Sequence, residues 1–378
     1  MTLDLLTLIL SGVLLVLALL TPMSNPFFRR LRRSTEATTG EGPKVTVLLI
    51  SNGDHTALDE HLPIYLTQDY APGYEVVVVS EKADAESENV LKRYSQNPRL
   101  YHTFVPESSR YMSKNKLAIT LGVKAAKNEW IILTDPRCKP TDEKWIESFT
   151  HEMTSGSHVV LGFVNYAEDA KAYHRFERLH TALYALREAQ QDRAYRTNCP
   201  LVAFRKSEFM ERNGFLEYLR YSIGEYDFIV DKFGREAHCE VATSPTSWLT
   251  ENSISARSWQ NRQVYYHEVG RHISGGTWAG TLRTLDQLLL HGNYLLEIGA
   301  CVFAGITGRW VLLGAAVVSL LLTVVLRTLI GRKALKEFGI HIPIWKIVPM
   351  ETGILRQRIL TRLRYEYADK NDFISHKV

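Results

Sequence analysis

The sequence predicts an α/β fold, a mostly parallel central sheet flanked by helices, carried together with transmembrane helices. Three observations predict it. Short runs of β-branched and apolar residues alternate with helical patterns between residues 45 and 163, the pattern of successive strand-helix units. One of these runs, 130–133, ends in Thr134, Asp135, Pro136 and Arg137, and an acid at the carboxyl end of a buried parallel strand faces a ligand crevice rather than a core. Two nearly uncharged apolar runs, 5–20 and 310–330, lie outside the alternation; each, with its flanks, is long enough to cross a bilayer.

A chain of 378 residues, 45% hydrophobic, has room for one large domain with additions or for two domains. Its formal charge of +4 is modest but unevenly placed. The four cysteines, Cys138, Cys199, Cys239 and Cys301, show no C-x-x-C spacing. Neither a structural zinc site nor a disulfide framework is expected, and the thiols read as reduced.

The run at 5–20 follows Asp4 and precedes Arg29, Arg30, Arg32 and Arg33. A secretory signal peptide carries its positive charge before the apolar run, so this one reads as a transmembrane helix with the N-terminus outside and the main domain in the cytoplasm. The run at 310–330 carries only Arg327, near its end, where a long side chain can snorkel. Residues 288–306 contain His291, Asn293 and Glu297; they read as a second span completing a hairpin, or as an amphipathic helix in the interface. The hairpin returns the chain to the basic side, which suits a tail from Gly331 holding ten Lys or Arg against five acids. Within that tail, Leu355, Ile359 and Leu363 lie four apart among Arg356, Arg358, Arg362 and Arg364, either an amphipathic helix on an anionic leaflet or a solvated basic face. The organisation expected is a transmembrane helix over 1–22, a basic and polar linker over 23–43, the α/β domain over 44–270, a membrane-proximal segment over 271–287, a transmembrane hairpin over 288–330 and a basic cytoplasmic tail over 331–378.

Within the α/β domain, 45–50 predicts a first strand, followed by a turn at Ser51, Asn52 and Gly53. Residues 57–68 predict a helix, and 74–79 a buried strand running into Ser80 and Glu81, with Asp84 close behind. A third strand is expected over 99–105. The loop after it carries Arg110, Lys114 and Lys116 ahead of a helix whose apolar positions Leu117, Leu121 and Ala125 recur every four residues. Cations beside a helix N-terminus suit a diphosphate. Beyond Asp135 the pattern predicts a helix over 141–155, a strand over 158–163 and a charged connecting helix over 174–193 to which no chemistry is assigned. Then come NCPLVAFRKSEFMERNGF over 198–215, GEYDF over 224–228 and WQNRQVYY over 259–266.

Together these segments resemble, over roughly 45–268, a membrane-anchored bacterial family 2 glycosyltransferase with the GT-A fold. The resemblance implies a GT-A nucleotide-diphospho-sugar transferase domain that moves a sugar, with inversion, from a nucleoside-diphosphate sugar to a membrane-associated acceptor hydroxyl in envelope polysaccharide or glycolipid synthesis. On the donor side it implies Ser51 and Asn52 in the first turn, Glu81 or Asp84 after the second strand, and Lys116 rather than Lys114 at the diphosphate. Asp135 matches the first acid of the family's Asp-x-Asp motif, which holds a divalent metal, Mg or Mn. The second acid is Arg137 here. Two arrangements stay open: metal on Asp135 and donor oxygens alone, or neutralisation by the Arg137 guanidinium, which can fork onto phosphate oxygens.

On the acceptor side, Ala203, Phe204, Arg205, Lys206 and Ser207 match the family, while Cys199 and Pro200 depart from its usual turn. Glu225 and Asp227 match the catalytic acids, with Asp227 expected as general base and Glu225 as the alternative; the helix dipole alone also favours acids there. Trp259 and Arg262 belong to a degenerate form of the Gln-x-x-Arg-Trp motif, and this, with the small number of spans, argues against a processive pore-forming synthase. The expected partners are a nucleoside-diphosphate sugar, a lipid-linked or glycan acceptor and the membrane, without nucleic acid. The expected location is the inner (cytoplasmic) membrane, multi-pass. The rival reading is a catalytically inactive GT-A module binding nucleotide or partners at the membrane.

Overall fold

Strand-helix alternation is realised as one large sheet. A computed structural model describes residues 4–32, 42–106, 112–154, 156–235 and 237–374; Arg110, Ser155 and residues 33–41 of the linker expected over 23–43, Arg33 among them, lie outside these. The chain divides into two compact units, Met1–Arg30 with Thr277–Leu360, and Leu31–Gly276 with Thr361–Val378.

Helix α1 (Leu5–Ser24) opens the chain. The second unit then runs β1 (Val45–Ser51), α2 (His55–Leu66), β2 (Tyr74–Glu81), α3 (Ala85–Arg93), β3 (Leu100–Val105), α4 (Lys114–Ala125) and β4 (Trp130–Thr134). It continues through β5 (Cys138–Pro140), α5 (Trp145–Thr150), β6 (Val159–Leu161), β7 (Val164–Tyr166), α6 (Ala172–Ala189), β8 (Leu201–Arg205), α7 (Lys206–Glu211), α8 (Glu225–Phe233), β9 (Cys239–Val241), β10 (Leu249–Glu251) and α9 (Ala256–Val269). Seven strands form one sheet in the order β3-β2-β1-β4-β8-β6-β9, and β5-β10-β7 form a second. The first four strands of the large sheet are parallel, and β8 runs antiparallel to β4 and β6. Every residue of β1 and β4 is buried, as expected of parallel strands covered on both faces by helices, which is why they read as unbroken apolar runs. Val47, Leu48, Val77, Ile132, Leu133 and Val202 carry this core.

The helix expected over 141–155 is realised only as α5, Trp145–Thr150, and an unexpected short strand, β5, precedes it. Cys138 to Pro140 pair with β10 more than a hundred residues later in the sequence, a long-range pairing that no local pattern announces. The charged connector is α6, and it is no surface strut: Glu177, Arg178, His180 and Glu188 are buried.

In the other unit, α1 packs with α10 (Thr277–Thr307) and α11 (Trp310–Glu337); α12 (Ile347–Tyr367) follows, its residues up to Leu360 belonging to this unit and those from Thr361 to the second. All three are long and apolar enough to cross a membrane, and the stretch over 288–306 is the interior of the 31-residue α10. Their surfaces are inverted relative to a water-soluble bundle. Leu295 and Ile306 are exposed by 73% and 81%, whereas Asn293, Glu297, Thr323 and Arg327 are buried, the distribution that suits lipid outside and protein inside. Arg327 does not snorkel. Its guanidinium is buried against Asp286 at 2.7 Å and Glu351 at 3.1 Å, and Asn25 donates to Glu351 from the far end of α1. On α12 the Ile359 and Leu363 stripe faces outward, while Ile354 and Tyr365 are buried.

Candidate active site

Strands β1 and β4 end, and β8 begins, at one edge of the large sheet. The antiparallel register that sets Thr134 opposite Leu201 brings the turn at 197–200 beside Asp135, and Thr134 Oγ1 ties it down by donating to the Pro200 carbonyl at 2.8 Å. A cavity of about 470 Å³ opens here, lined by Asp135, Arg137, the 197–200 turn, the start of α8 and one face of α9. It is of a size for a small ligand.

At one end, Asp135 and Arg137 form a closed pair. Arg137 Nε donates to Asp135 Oδ1 at 2.9 Å, Nη2 to Oδ2 at 2.7 Å, and the Arg137 backbone N–H also donates to Oδ1 at 2.9 Å. The hydrogen bonds to Asp135 push the Arg137 pKa further up, so the guanidinium is a permanent cation. Asp54 Oδ2 lies 3.6 Å from Arg137 Nε; burial raises the Asp54 carboxyl against the opposing pull of Arg137.

At the other end, Gly224 takes φ 87° and turns the chain into α8. A Cβ there would meet Val269 at 2.7 Å and Phe228 at 2.9 Å, so both conformation and space demand glycine. That turn presents Glu225 and Asp227 in the first helical turn, where the dipole favours acids. Their surroundings differ. Asp227 is held by Arg196 Nε at 3.0 Å and by the Thr197 N–H at 3.3 Å, and burial pushes its carboxyl up against these contacts. Glu225 lines the same cavity with Oε1 buried and bonded to no partner among the described residues.

Behind the cavity residue Arg262 lies Glu251, wholly buried at the end of β10. Arg262 grips it with two bonds, Nη1 to Oε2 at 2.9 Å and Nη2 to Oε1 at 2.7 Å, and Arg178 Nη1 donates to Oε2 at 2.6 Å. Burial alone would raise this acid, yet Arg262 and Arg178 hold it well below the usual carboxylate range. A buried acid satisfied by two guanidiniums sets the direction of Arg262 into the cavity.

Of the residues the sequence singles out, Asp135, Arg137, Glu225, Asp227 and Arg262 line the cavity together. Lys116 does not; its ammonium is buried under the loop before α8, donating to the carbonyls of Tyr221 and, at 3.1 Å, Ile223, and burial pulls its pKa down to about 8. Ser51 is buried against Ser87 at 2.9 Å, and Asn52 contacts Asn115, itself a lining residue. Glu81 pairs with Lys114, and Asp84 caps α3 by accepting from Ser87 N–H at 3.1 Å. Arg205 points to the opposite end of β8, donating to the Ser157 carbonyl at 2.9 Å. Trp259 is buried and stacked on His174 at 4.2 Å. Sequence reasoning missed Arg196, Arg178 and Glu251, which carry no motif and matter only through contacts made across the fold. The tail also contributes: Phe373 O accepts from Ser222 N–H at 2.9 Å, bracing the loop ahead of Gly224.

Neither a protein-family model nor a curated protein matches this chain. Among solved structures, the mannosyltransferase PcManGT from Pyrobaculum calidifontis, in complex with GDP-Man and Mn2+, is similar over 96% of this chain and 98% of its own, at TM-score 0.55 and 15% identity. S. aureus TarS 1-349 in complex with UDP-GlcNAc is similar over 83% and 92%, at TM-score 0.42 and 11% identity. The likeness to the mannosyltransferase is one of fold. The chain has a glycosyltransferase fold, with its cavity at the strand ends where such a sheet binds ligands.

A divalent cation in such a cavity needs free carboxylate oxygens. Each oxygen of Asp135 already accepts from Arg137, and no group of three or more His, Cys, Asp or Glu is placed to hold an ion among the described residues. The residues present do not fit a metal as they stand.

Proposed function

We propose that this protein is an inverting GT-A glycosyltransferase of the family 2 type, anchored in the inner membrane with its α/β domain in the cytoplasm, that transfers a sugar from a nucleoside-diphosphate sugar to a hydroxyl of a lipid-linked or glycan acceptor. Envelope polysaccharide or glycolipid assembly is the setting such an acceptor implies. One observation carries the reading: a single cavity joins a guanidinium at the end of β4 to a carboxylate with an unengaged oxygen in the first turn of α8.

In this reading Glu225 is the general base. Its free Oε1 accepts the acceptor hydroxyl proton as that oxygen bonds to the anomeric carbon, and the bond from that carbon to the diphosphate breaks with its electron pair leaving on the diphosphate. Asp227, held by Arg196 and Thr197, acts as a positioning residue for the turn at 196–198. What favours Glu225 over Asp227 is the unoccupied oxygen. The membrane setting is supported by three apolar helices with outward-facing Leu and Ile.

The test is transfer or donor hydrolysis by detergent-solubilised protein, assayed across UDP- and GDP-sugars. Activity lost in Glu225→Gln with nucleotide affinity retained is the expected result. Nucleotide binding with no turnover in the wild type would instead favour the inactive-module reading, to which the engaged Asp135 lends its one point of support.

A further inference from the structure

The cavity holds two guanidiniums, each locked on a carboxylate, and the lock differs from a metal site in kind. In the 135–137 turn Asp135 accepts three hydrogen bonds, all from Arg137. Three of the carboxylate's roughly four lone-pair sites are thus filled, and a divalent ion on the one that remains would sit beside a fixed positive charge. The guanidinium, by contrast, still has donors to give. Nε and one hydrogen of Nη2 are spent on Asp135, Nη1 takes no part in those bonds, and the Arg137 side chain is one third exposed where it lines the cavity. Planar donors held by a carboxylate on one edge and open on the other match the oxygens of a phosphate.

Arg137 has company. Cys138 pairs with Glu251 across β5 and β10, and the Asn252 N–H donates to the Arg137 carbonyl at 3.0 Å, which places the acid that holds Arg262 one residue from Arg137. Arg262 is likewise a cavity residue, fixed by two bonds to Glu251 and backed by Arg178.

We propose that the chain binds its nucleoside diphosphate without a divalent metal, with the Arg137 guanidinium bridging Asp135 and the phosphate oxygens where a cation would otherwise sit, and Arg262 as the second arm of the clamp. This rests on the reading of the cavity as a donor site. Asp135 becomes a positioning residue for a cation that is part of the chain. The leaving diphosphate then meets charge that needs no ion uptake.

Calorimetric titration of full-length, detergent-solubilised protein with UDP and GDP, in EDTA and in manganese, decides it. The expected result is binding of one of them with Kd unchanged within about twofold by manganese, and about tenfold to a hundredfold weaker in Arg137→Ala, the loss of a charge-assisted contact. Arg137→Asp, which restores an acid pair, is expected to bind poorly in EDTA and to recover about tenfold or more with manganese. Thermal unfolding of each variant checks that it folds, and Arg137→Lys, which keeps charge but loses the fork, is expected to fall between wild type and Ala. Wild-type binding that requires manganese and survives in Arg137→Ala would overturn the clamp while leaving the donor-site reading intact. If neither nucleotide binds in either condition, the clamp falls together with the donor-site reading.

Discussion

The two ends of the cavity are each built on a carboxylate held by an arginine, and they differ in burial and in what is left over. At Asp135 and Arg137 the side chains are 17% and 34% exposed, the acid accepts three hydrogen bonds from the arginine and the arginine keeps an open edge. At Asp227 and Arg196 they are 11% and 9% exposed, Arg196 is buried between Asp227, the Tyr266 carbonyl and the Tyr266 ring, and the group with an open oxygen is the neighbouring acid, Glu225. The same pair chemistry thus leaves a guanidinium edge open at one end and a carboxylate oxygen open at the other. Burial makes the difference, because a pair shut away from water serves as scaffold, whereas one that faces a cavity can hand its spare donors to a ligand.

The largest expected effect sharpens the acceptor end. Glu225→Gln should lower transfer by about 10²–10⁴-fold, the range for a lost general base, with nucleotide affinity unchanged, while Asp227→Asn should lose less activity and more stability. A reversed ranking would make Asp227 the base.

Next, Arg196→Met strands the buried Asp227 and should cost roughly 3–5 kcal/mol in denaturant unfolding. A change under about 1 kcal/mol would show that the pair is no scaffold, since values that small belong to exposed pairs.

Glu251 allows a pH test of the hold on Arg262. Its folded pKa lies below its ordinary value of 4.5, so the folded state holds fewer protons than the unfolded chain once pH drops below the ordinary value. The stability it contributes is present above about pH 4.5 and is lost as pH falls towards the folded pKa. Glu251→Gln should therefore unfold more readily at neutral pH and show a shallower acid limb below about pH 4.5. Parallel acid limbs in the two proteins would remove Glu251 from this role.

Two smaller effects mark where the cavity stops. Asp84→Ala removes the α3 cap and should cost about 1 kcal/mol of stability without changing nucleotide affinity; a tenfold loss of affinity would restore the donor role that the family resemblance implies. Arg205→Ala, at the far end of β8, should leave turnover within about twofold, well inside the spread of ordinary surface changes.

Much of this was legible from residues alone. The strands 45–50, 74–79 and 130–133 appear as β1, β2 and β4 with ends shifted by up to two residues, because buried parallel strands are local apolar runs with local boundaries. Asp135, Arg137, Glu225, Asp227 and Arg262 meet in one cavity because strand ends and first helical turns are where such a sheet gathers its ligands. Lys116 and Arg327 went the other way. Each reads as a cation free to reach solvent or ligand, and each is buried on partners from distant segments, carbonyls at 221 and 223 for the first and the carboxylates of Asp286 and Glu351 for the second.

By itself, then, the sequence determined the alternation of strands and helices, the three apolar helices and the set of charged residues available to a site, since periodicity and hydrophobic length act over one or two turns of chain. Which guanidinium meets which carboxylate was decided only by tertiary structure. The pairing of β10 with β5 sets Glu251 beside Arg137, and the 197–200 turn sets Arg196 beside Asp227. Contacts spanning 30 to 110 residues depend on the register of the whole sheet, and that register comes from packing many side chains at once.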